Sequence, residues 1–585
     1  MSNTPPNPFG QSPYGPPPEP AYGQQPPAYG QQPPAYGQQP PTYGQQQPPT
    51  YGQQPPAYGQ QPPTYGQQPP AYGQQPPVYG QPAPAYGQTY GAGGAPVPPA
   101  PKARTKPAIL AAVAVGAVAV LGGGGVFAYQ KLAASGAQPD SVIPASAIVY
   151  TRVDLDPSAG QKIAAMRLLS KIPAVKDVQS GSADIREAIW TKIAEQDKDL
   201  KSVNFANDIK PWLGNRAAFA VLSPTDTKKQ PPALFALAVT DEAKAREWAT
   251  SMLAKKSSNS DTDVTARSGF LLFTSKKDTS TILAELDKGS LATNKDYIGD
   301  VAALGDQGIA SVWMDLTAVG KSSLMDAAKS ASPTSAASLP KDVVQGRVLA
   351  AVRMDANYLE LAGIVRGGKD LGITPAPAQV GSLPADTAIA VGIGSAGDLF
   401  AKSWADIAKS LGPKDIADAE RKSGLKLPDD LTNLFGDSLT LAAPAQDFTK
   451  LGSAGPTLGA KTLAKDGTKA KSVLDALLSD SGMDSQVATR QDGNSVYIAT
   501  SQEYIAKLSQ AGTLGQDEAY RLAVPDDKSH FVVYVHLDPL EGQYLDQMSN
   551  SNEYKEALKG IRAVGISSRV TAPGEGAFTI RLVAN

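Results

Sequence analysis

Leu383-Pro384-Ala385-Asp386-Thr387-Ala388-Ile389-Ala390-Val391 restates, far down the chain, Ile143-Pro144-Ala145-Ser146-Ala147-Ile148-Val149-Tyr150. Each copy is a proline turn running into a β-branched, apolar strand. The echo continues in one order. Trp212-Leu213-Gly214-Asn215-Arg216 answers to Leu434-Phe435-Gly436-Asp437-Ser438, and Glu242 to Trp248 answers to Thr468 to Leu474. Gly269 to Thr274 answers to Ser495 to Thr500, Ile309 to Leu316 to Phe531 to Leu537, and Arg347 to Val365 to Arg562 to Val583. Ordered self-similarity over about 200 residues marks a duplicated unit. The sequence therefore predicts two related α+β modules, residues 140–368 and 382–585. A linker at 369–381 joins them, carrying Thr374 to Gln379 behind Gly367-Gly368. Strands outnumber crossovers and short turns join many of them, which favours largely antiparallel sheets with helices packed on one face.

Local patterns fill in the first module. Ala147 to Asp154 reads as a strand, and Asp156-Pro157 then caps and opens a helix through about Lys171. Ile163, Met166 and Leu169 or Ile172 form its apolar face. A helix is expected over Asp184 to Glu195, with Ile185, Ile189 and Ile193 at helical spacing. Strands at Ala217 to Leu222 and Ala233 to Val239 follow, then a helix at Ala243 to Lys255. A hairpin at Asp263 to Thr274 and a helix from about Thr279 come next. Ala327 to Ser338, rich in Ser and Ala, reads as an insert.

Upstream lies Pro107 to Tyr129, PAILAAVAVGAVAVLGGGGVFAY, which carries no charge and is long enough to span a bilayer as a helix. Lys102, Arg104 and Lys106 precede it and only Lys131 follows closely, so the N-terminal side is expected in the cytoplasm. Gly122 to Gly125 weaken a helix in water but are tolerated in lipid. A secretory signal cleaved near Ser135-Gly136-Ala137 is the competing reading, but signals normally begin a chain. Residues 102–131 are thus expected to be a transmembrane helix with its basic flank, and 132–139 a stalk. Ala108, Ala112 and Gly116 form a small-residue row that also suits helix pairing.

Residues 1–101 are a low-complexity tail. From Tyr22 to Tyr86 a heptapeptide, essentially Y-G-Q-Q-P-P-A/T, recurs with one extra glutamine at Gln47. Paired prolines exclude a helix, and so polar a segment cannot offset its ordering entropy. Polyproline II character and disorder are expected. Pro26-Pro27-Ala28-Tyr29 and its repeats have the P-P-x-Y form that aromatic-grooved modules bind. The same composition suits weak self-association or a plain spacer.

Val142 to Pro173, VIPASAIVYTRVDLDPSAGQKIAAMRLLSKIP, together with Ile209 to Leu222, IKPWLGNRAAFAVL, resembles the actinobacterial "domain of unknown function 3352" family. The Gly-rich apolar stretch ending in Ala-Tyr and the Pro/Gln-rich tail resemble it too. The resemblance extends over most of the region after the apolar stretch. It implies a membrane-anchored envelope protein and no activity, because the family brings no catalytic residues to transfer.

Composition narrows the chemistry. The formal net charge is −2; without Glu19 and the four basic residues flanking the apolar stretch, about −5 remains beyond it. That is no nucleic-acid binder. The absence of cysteine excludes disulfides, thiolate catalysis and cysteine-bound zinc. Gly392-Ile393-Gly394-Ser395-Ala396-Gly397 has the dinucleotide fingerprint, yet its counterpart Arg152 to Pro157 has no glycine, so it reads as a strand-to-helix turn. Ser338-Leu339-Pro340-Lys341 and Ser423-Gly424-Leu425-Lys426 match S-x-x-K, but Pro340 and Gly424 spoil the helix that motif needs. His530 and His536 are expected on one strand face with Val532 and Tyr534, too far apart to share a metal. Asp154, Asp156 and Asp538 suit helix capping better than calcium, and Lys255-Lys256 and Lys276-Lys277 read as solvated pairs.

The sequence thus nominates no catalytic, cofactor-binding or metal-ligating residue. It predicts a non-enzymatic single-pass protein of the cell envelope, with the bilayer around 107–129, an outer domain that binds or scaffolds, and a partner for the tail inside. A transmembrane sensor and an envelope hydrolase with a site between the modules are the alternatives. A deep pocket between modules would favour the enzyme, and a broad apolar surface would favour the binder.

Overall fold

The computed structural model describes residues 138–585 apart from most of 155–183, the stretches 257–260, 325–344, 451–454 and 548–557, and a few positions near 198 and 225–229. The tail, the apolar stretch, most of the helix predicted after Pro157 and the insert at Ala327 to Ser338 lie outside the described residues. Among the described residues no helix is long and apolar enough to cross a membrane.

Among the described residues sixteen strands form one sheet, antiparallel at every pairing. The first eight are β1 (Ala147–Asp154), β2 (Leu213–Leu222), β3 (Ala233–Val239), β4 (Thr262–Arg267), β5 (Phe270–Ser275), β6 (Ala310–Asp315), β7 (Arg347–Met354) and β8 (Tyr358–Arg366). They lie in the order 4-5-3-2-1-6-7-8. The next eight are β9 (Thr387–Gly394), β10 (Ser438–Pro444), β11 (Gly459–Leu463), β12 (Ala488–Asp492), β13 (Ser495–Ala499), β14 (Phe531–His536), β15 (Ile561–Ala572) and β16 (Glu575–Ala584). Their order, 12-13-11-10-9-14-15-16, is the same one shifted by eight. The halves meet where β16 pairs with β8, from Gly576 opposite Val365 to Val583 opposite Tyr358.

The helices are α1 (Ile185–Gln196), α2 (Glu242–Lys256), α3 (Thr279–Lys288), α4 (Lys295–Leu304), α5 (Leu316–Gly320), α6 (Ala396–Leu411), α7 (Pro413–Ser423), α8 (Asp429–Phe435), α9 (Gly467–Ser481), α10 (Gln502–Leu508), α11 (Glu518–Ala523) and α12 (Glu541–Gln547). Side chains alternate across a strand, so the register defines two faces. On the first face, α3 and α4 bury Ile282, Leu286 and Tyr297 against Tyr150, Leu234, Phe270 and Trp313. In the second half α10 and α11 do the same with Tyr504, Ile505 and Tyr520 against Tyr534, Val532 and Tyr497. Rings meet edge-on, Tyr150 to Tyr297 at 5.6 Å and Tyr520 to Tyr534 at 5.1 Å.

Helices also stand on the second face, contrary to a one-sided arrangement, most extensively at its two ends. At one end Trp190 of α1, Phe205, Trp212 and α2 residues Ala245 and Ala249 cover Leu271, Leu237 and Phe273. At the other, Leu434 of α8 and Ala470 and Val473 of α9 cover Val496. Leu168 packs on Met354, Leu359 and Ala584 between them.

Burial of the tyrosines yields an alkaline prediction. Desolvation holds the phenols of Tyr150, Tyr297, Tyr504, Tyr520 and Tyr534 well above the usual tyrosine range. Their stabilisation is complete below the unfolded value near 10 and is lost as pH rises above it. Absorbance titration of the folded protein is expected to leave this set un-ionised at pH 11, with their ionisation appearing together with loss of circular dichroism.

Candidate functional site: the aliphatic middle of the sheet's second face

Between the two helical ends, the second face is built from nine strands, β10-β9-β14-β15-β16-β8-β7-β6-β1. One row of partners crosses all nine: Leu441, Val391, Val533, Ile566, Ile580, Leu361, Val352, Ala310 and Val153. A parallel row runs Ala443, Ile389, Val535, Val564, Leu582, Leu359 and Met354. A third contains Leu439, Ile393, Phe531, Phe578 and Val312, with Ser568 and Thr151 as its hydroxyls. These three rows contain no charged side chain.

The charges of the same strands fall on the first face. Glu360 receives Arg581 at 2.8 Å and Arg353 at 3.3 Å, and Arg581 also stacks on Tyr358 at 4.0 Å. Asp300 of α4, 1% exposed, accepts Trp313 Nε1 at 2.9 Å and Arg347 Nε at 2.7 Å, with Arg366 at 3.6 Å. The halves are therefore joined strand to strand, with ion pairs over the seam.

An antiparallel sheet with one face in water usually shows polar side chains there. Here this face is aliphatic and unevenly exposed: Val391, Val533, Ile566, Ile580 and Leu361 are intermediate, Phe531 and Leu441 exposed at 37% and 50%, and Ala310, Ala443 and Met354 buried, the last under Leu168. Eight strand spacings give a width of roughly 40 Å and a height of roughly 20 Å, or about 800 Å². Met354 and Leu359 lie under Leu168 within this footprint, so the exposed apolar area is smaller than the footprint. Leaving it half open forgoes on the order of 10 kcal/mol of burial. Beside it, α6 carries the stripe Phe400, Trp404, Ile407 and Leu411, of which Leu411 is 52% exposed. Phe400 meets Phe435 of α8 at 5.1 Å.

The residues singled out from sequence are otherwise employed. A Cβ on Gly394 would lie 1.7 Å from Ala376 O, and one on Gly392 2.4 Å from Val380 Cγ2. These glycines admit the linker, which runs across β9. Gly397 N donates to Gly436 O at 2.8 Å, and Ser395 Oγ donates to Thr374 O and accepts from Ala376 N. The start of α6 is thus filled by the chain itself, where a dinucleotide would need free amides. Ser423 Oγ donates to Ala419 O, and Gly424 is left-handed at φ +70°, so Ser423 and Lys426 do not share a helical turn. Ser338 and Lys341 lie outside the described residues.

His530 precedes β14 instead of lying in it, and its Nδ1 accepts from Val570 N. His536 ends the strand, 3.9 Å from Asp538. It borders a shallow depression of about 520 Å³ with Asp386, Pro539 and Arg562, which lies within the second half. Of the aspartates expected as caps, Asp154 stands before residues outside the described ones, and Asp538 is not the cap of its turn. Asp154 pairs with the buried Arg152 and Arg216, at 3.6 and 3.8 Å, and Asp538 sits inside a short 3-10 turn capped by Leu537. Asp156 lies outside the described residues. Lys255, Lys276 and Lys277 are exposed. Among the described residues no group of three His, Asp or Glu is placed to hold a metal ion.

These features define a class: an α+β protein built on one large antiparallel sheet with an aliphatic, half-open face. Residues 109–289 match the profile of a family described as a protein of unknown function (DUF3352). The match starts inside the apolar stretch and ends after α3, so it covers less of the chain than the resemblance read from sequence. No curated protein and no solved structure matches the chain.

Proposed function

We propose that this is a non-enzymatic, single-pass protein of an actinobacterial-type cell envelope, whose C-terminal fold binds an apolar partner on the open face of its sheet. The observation that carries the reading is the three-row aliphatic surface, uncharged across nine strands. A broad exposed apolar surface is the kind of feature that marks an interaction site. Residues 107–129 supply the anchor, the basic flank sets the tail inside, and the tail contacts a cytoplasmic partner or crowds at the membrane. The edge-to-edge β8–β16 join disfavours an enzyme site between the halves.

Topology is testable in intact cells. Protease added outside is expected to digest a C-terminal epitope while sparing one at residue 2. Protection of both epitopes until the cells are broken would contradict the outer placement.

A further inference from the structure

Just before β14, His530 ties three strands together. Its backbone N donates to Ser568 O of β15 at 2.8 Å, and its carbonyl accepts from Gly394 N of β9 at 2.6 Å. Its imidazole Nδ1 accepts from Val570 N of β15 at 3.0 Å, where a sheet ladder would use a backbone carbonyl. That bond sets the state of the ring. Nδ1 must be bare to accept, so the proton sits on Nε2 and the imidazole is neutral.

The same turn holds the linker between the halves. Ala378 N, on a residue 0% exposed, donates to Ser529 O at 2.8 Å, one residue before His530. Where the linker begins, Gly368 N donates to Gly574 O at 2.8 Å, in the turn joining β15 to β16 just past Val570. The bond from Val570 to the His530 ring therefore connects the two points that hold the linker.

We propose that His530 is a pH-sensitive latch on this linker, closed when its ring is neutral and released when the ring is protonated. Protonation places a hydrogen on Nδ1 facing the Val570 N–H, so two donors oppose each other and the bond is lost. Two charged groups face the ring: Asp526 from its own turn and Arg569 from β15, paired with each other at 3.0 Å. β9 and the linker approach with Gly394 and Ala378, neither of them charged. Burial holds the imidazole below the ordinary histidine range, while Asp526 favours its charge and Arg569 opposes it. The closed latch thus prefers the neutral ring. Its stabilisation is complete above the ordinary value near 6.5 and is lost as pH falls below it. The latch does not depend on what the sheet binds.

The test follows amide hydrogen exchange in the purified full-length protein in detergent, each rate divided by its intrinsic rate at that pH. Between pH 7.5 and pH 5.0, protection at Val570 and across 369–381 is expected to fall roughly fivefold or more. Protection in β2 and β3, well along the sheet, is expected to hold and reports that the fold is intact. His530→Asn offers an amide oxygen in place of Nδ1 that does not titrate, and is expected to abolish the pH response. His530→Ala has no acceptor and is expected to be poorly protected at both pH values. His536→Asn, which removes the ring 3.9 Å from Asp538, is expected to keep the parental response. Parental protection unchanged down to pH 5.0, or a fall that persists in His530→Asn or His530→Ala, overturns the latch.

Discussion

Gly394→Ala is expected to cost about 3 kcal/mol or more, among the largest effects of any single methyl in this chain. The added Cβ would lie 1.7 Å from Ala376 O, well inside contact distance, and both partners are backbone-borne. The linker must therefore leave β9. With it go the burial of Ala378 and Val380, at 0% and 2% exposed, and the bonds from Ala378 N to Ser529 O and from Thr440 Oγ1 to Ala378 O. Denaturant titration measures the loss, and limited proteolysis is expected to open new sites within 369–381. Gly542→Ala is the matched control: its Cβ meets nothing within 4 Å, so no loss is expected.

Asp300→Ala is expected to cost about 3–5 kcal/mol, because it strips one buried carboxylate from three donors at once. Trp313 Nε1 loses a 2.9 Å bond, Arg347 loses bonds of 2.7 and 3.1 Å, and Arg366 loses its 3.6 Å pairing. Arg347 then keeps its pairing with Asp296, at 3.4 Å and largely in solvent. The site joins α4 to β6, β7 and β8, so the first half loses its grip on the helix layer beside the seam. A fall in thermal midpoint on the order of 5 °C is expected. Asp300→Asn retains an acceptor for Trp313 and is expected to lose less. Equal stability of Asp300→Ala and the parent would contradict the assigned role.

Much of this architecture was legible because it is written twice. The stretches that echo one another in sequence, Ala147 to Tyr150 with Thr387 to Val391 and Gly269 to Thr274 with Ser495 to Thr500, are β1 with β9 and β5 with β13, at equivalent places in the strand order. Helix signals also read well: Asp184 caps α1 by accepting from Arg186 N, and α3 starts at Thr279. What did not read was which face would stay open. In Ile389-Ala390-Val391-Gly392-Ile393 both alternating sets are apolar, so periodicity reports a strand but not its cover. The small set, Ala390 and Gly392, lies under the linker and the second-half helices, while the large set faces the floor. A clue was present: small residues admit close backbone, and large ones leave a surface to be covered by something else.

Other misses have local causes. β2 starts at Leu213 rather than Ala217 because a register shift takes up Gly214 to Arg216, where Gly214 sits against Ala238. The histidines looked coplanar on a strand, but β14 begins at Phe531, and His530 is held by Val570 of the neighbouring β15. Fingerprint glycines can serve a phosphate or a crossing chain, and only the position of Ala376 decides between them.

The most direct measurement exploits the absence of cysteine. Single cysteines at Val391 and Ile580 on the floor, and at Ala390 and Ala362 beneath the helices, are treated in intact cells with a small membrane-impermeant thiol reagent. The account predicts that the floor cysteines react at least tenfold faster than the covered ones. Floor cysteines as unreactive as Ala390→Cys, or reactive only after the cells are broken, would contradict the proposed solvent-accessible aliphatic face on the outer side.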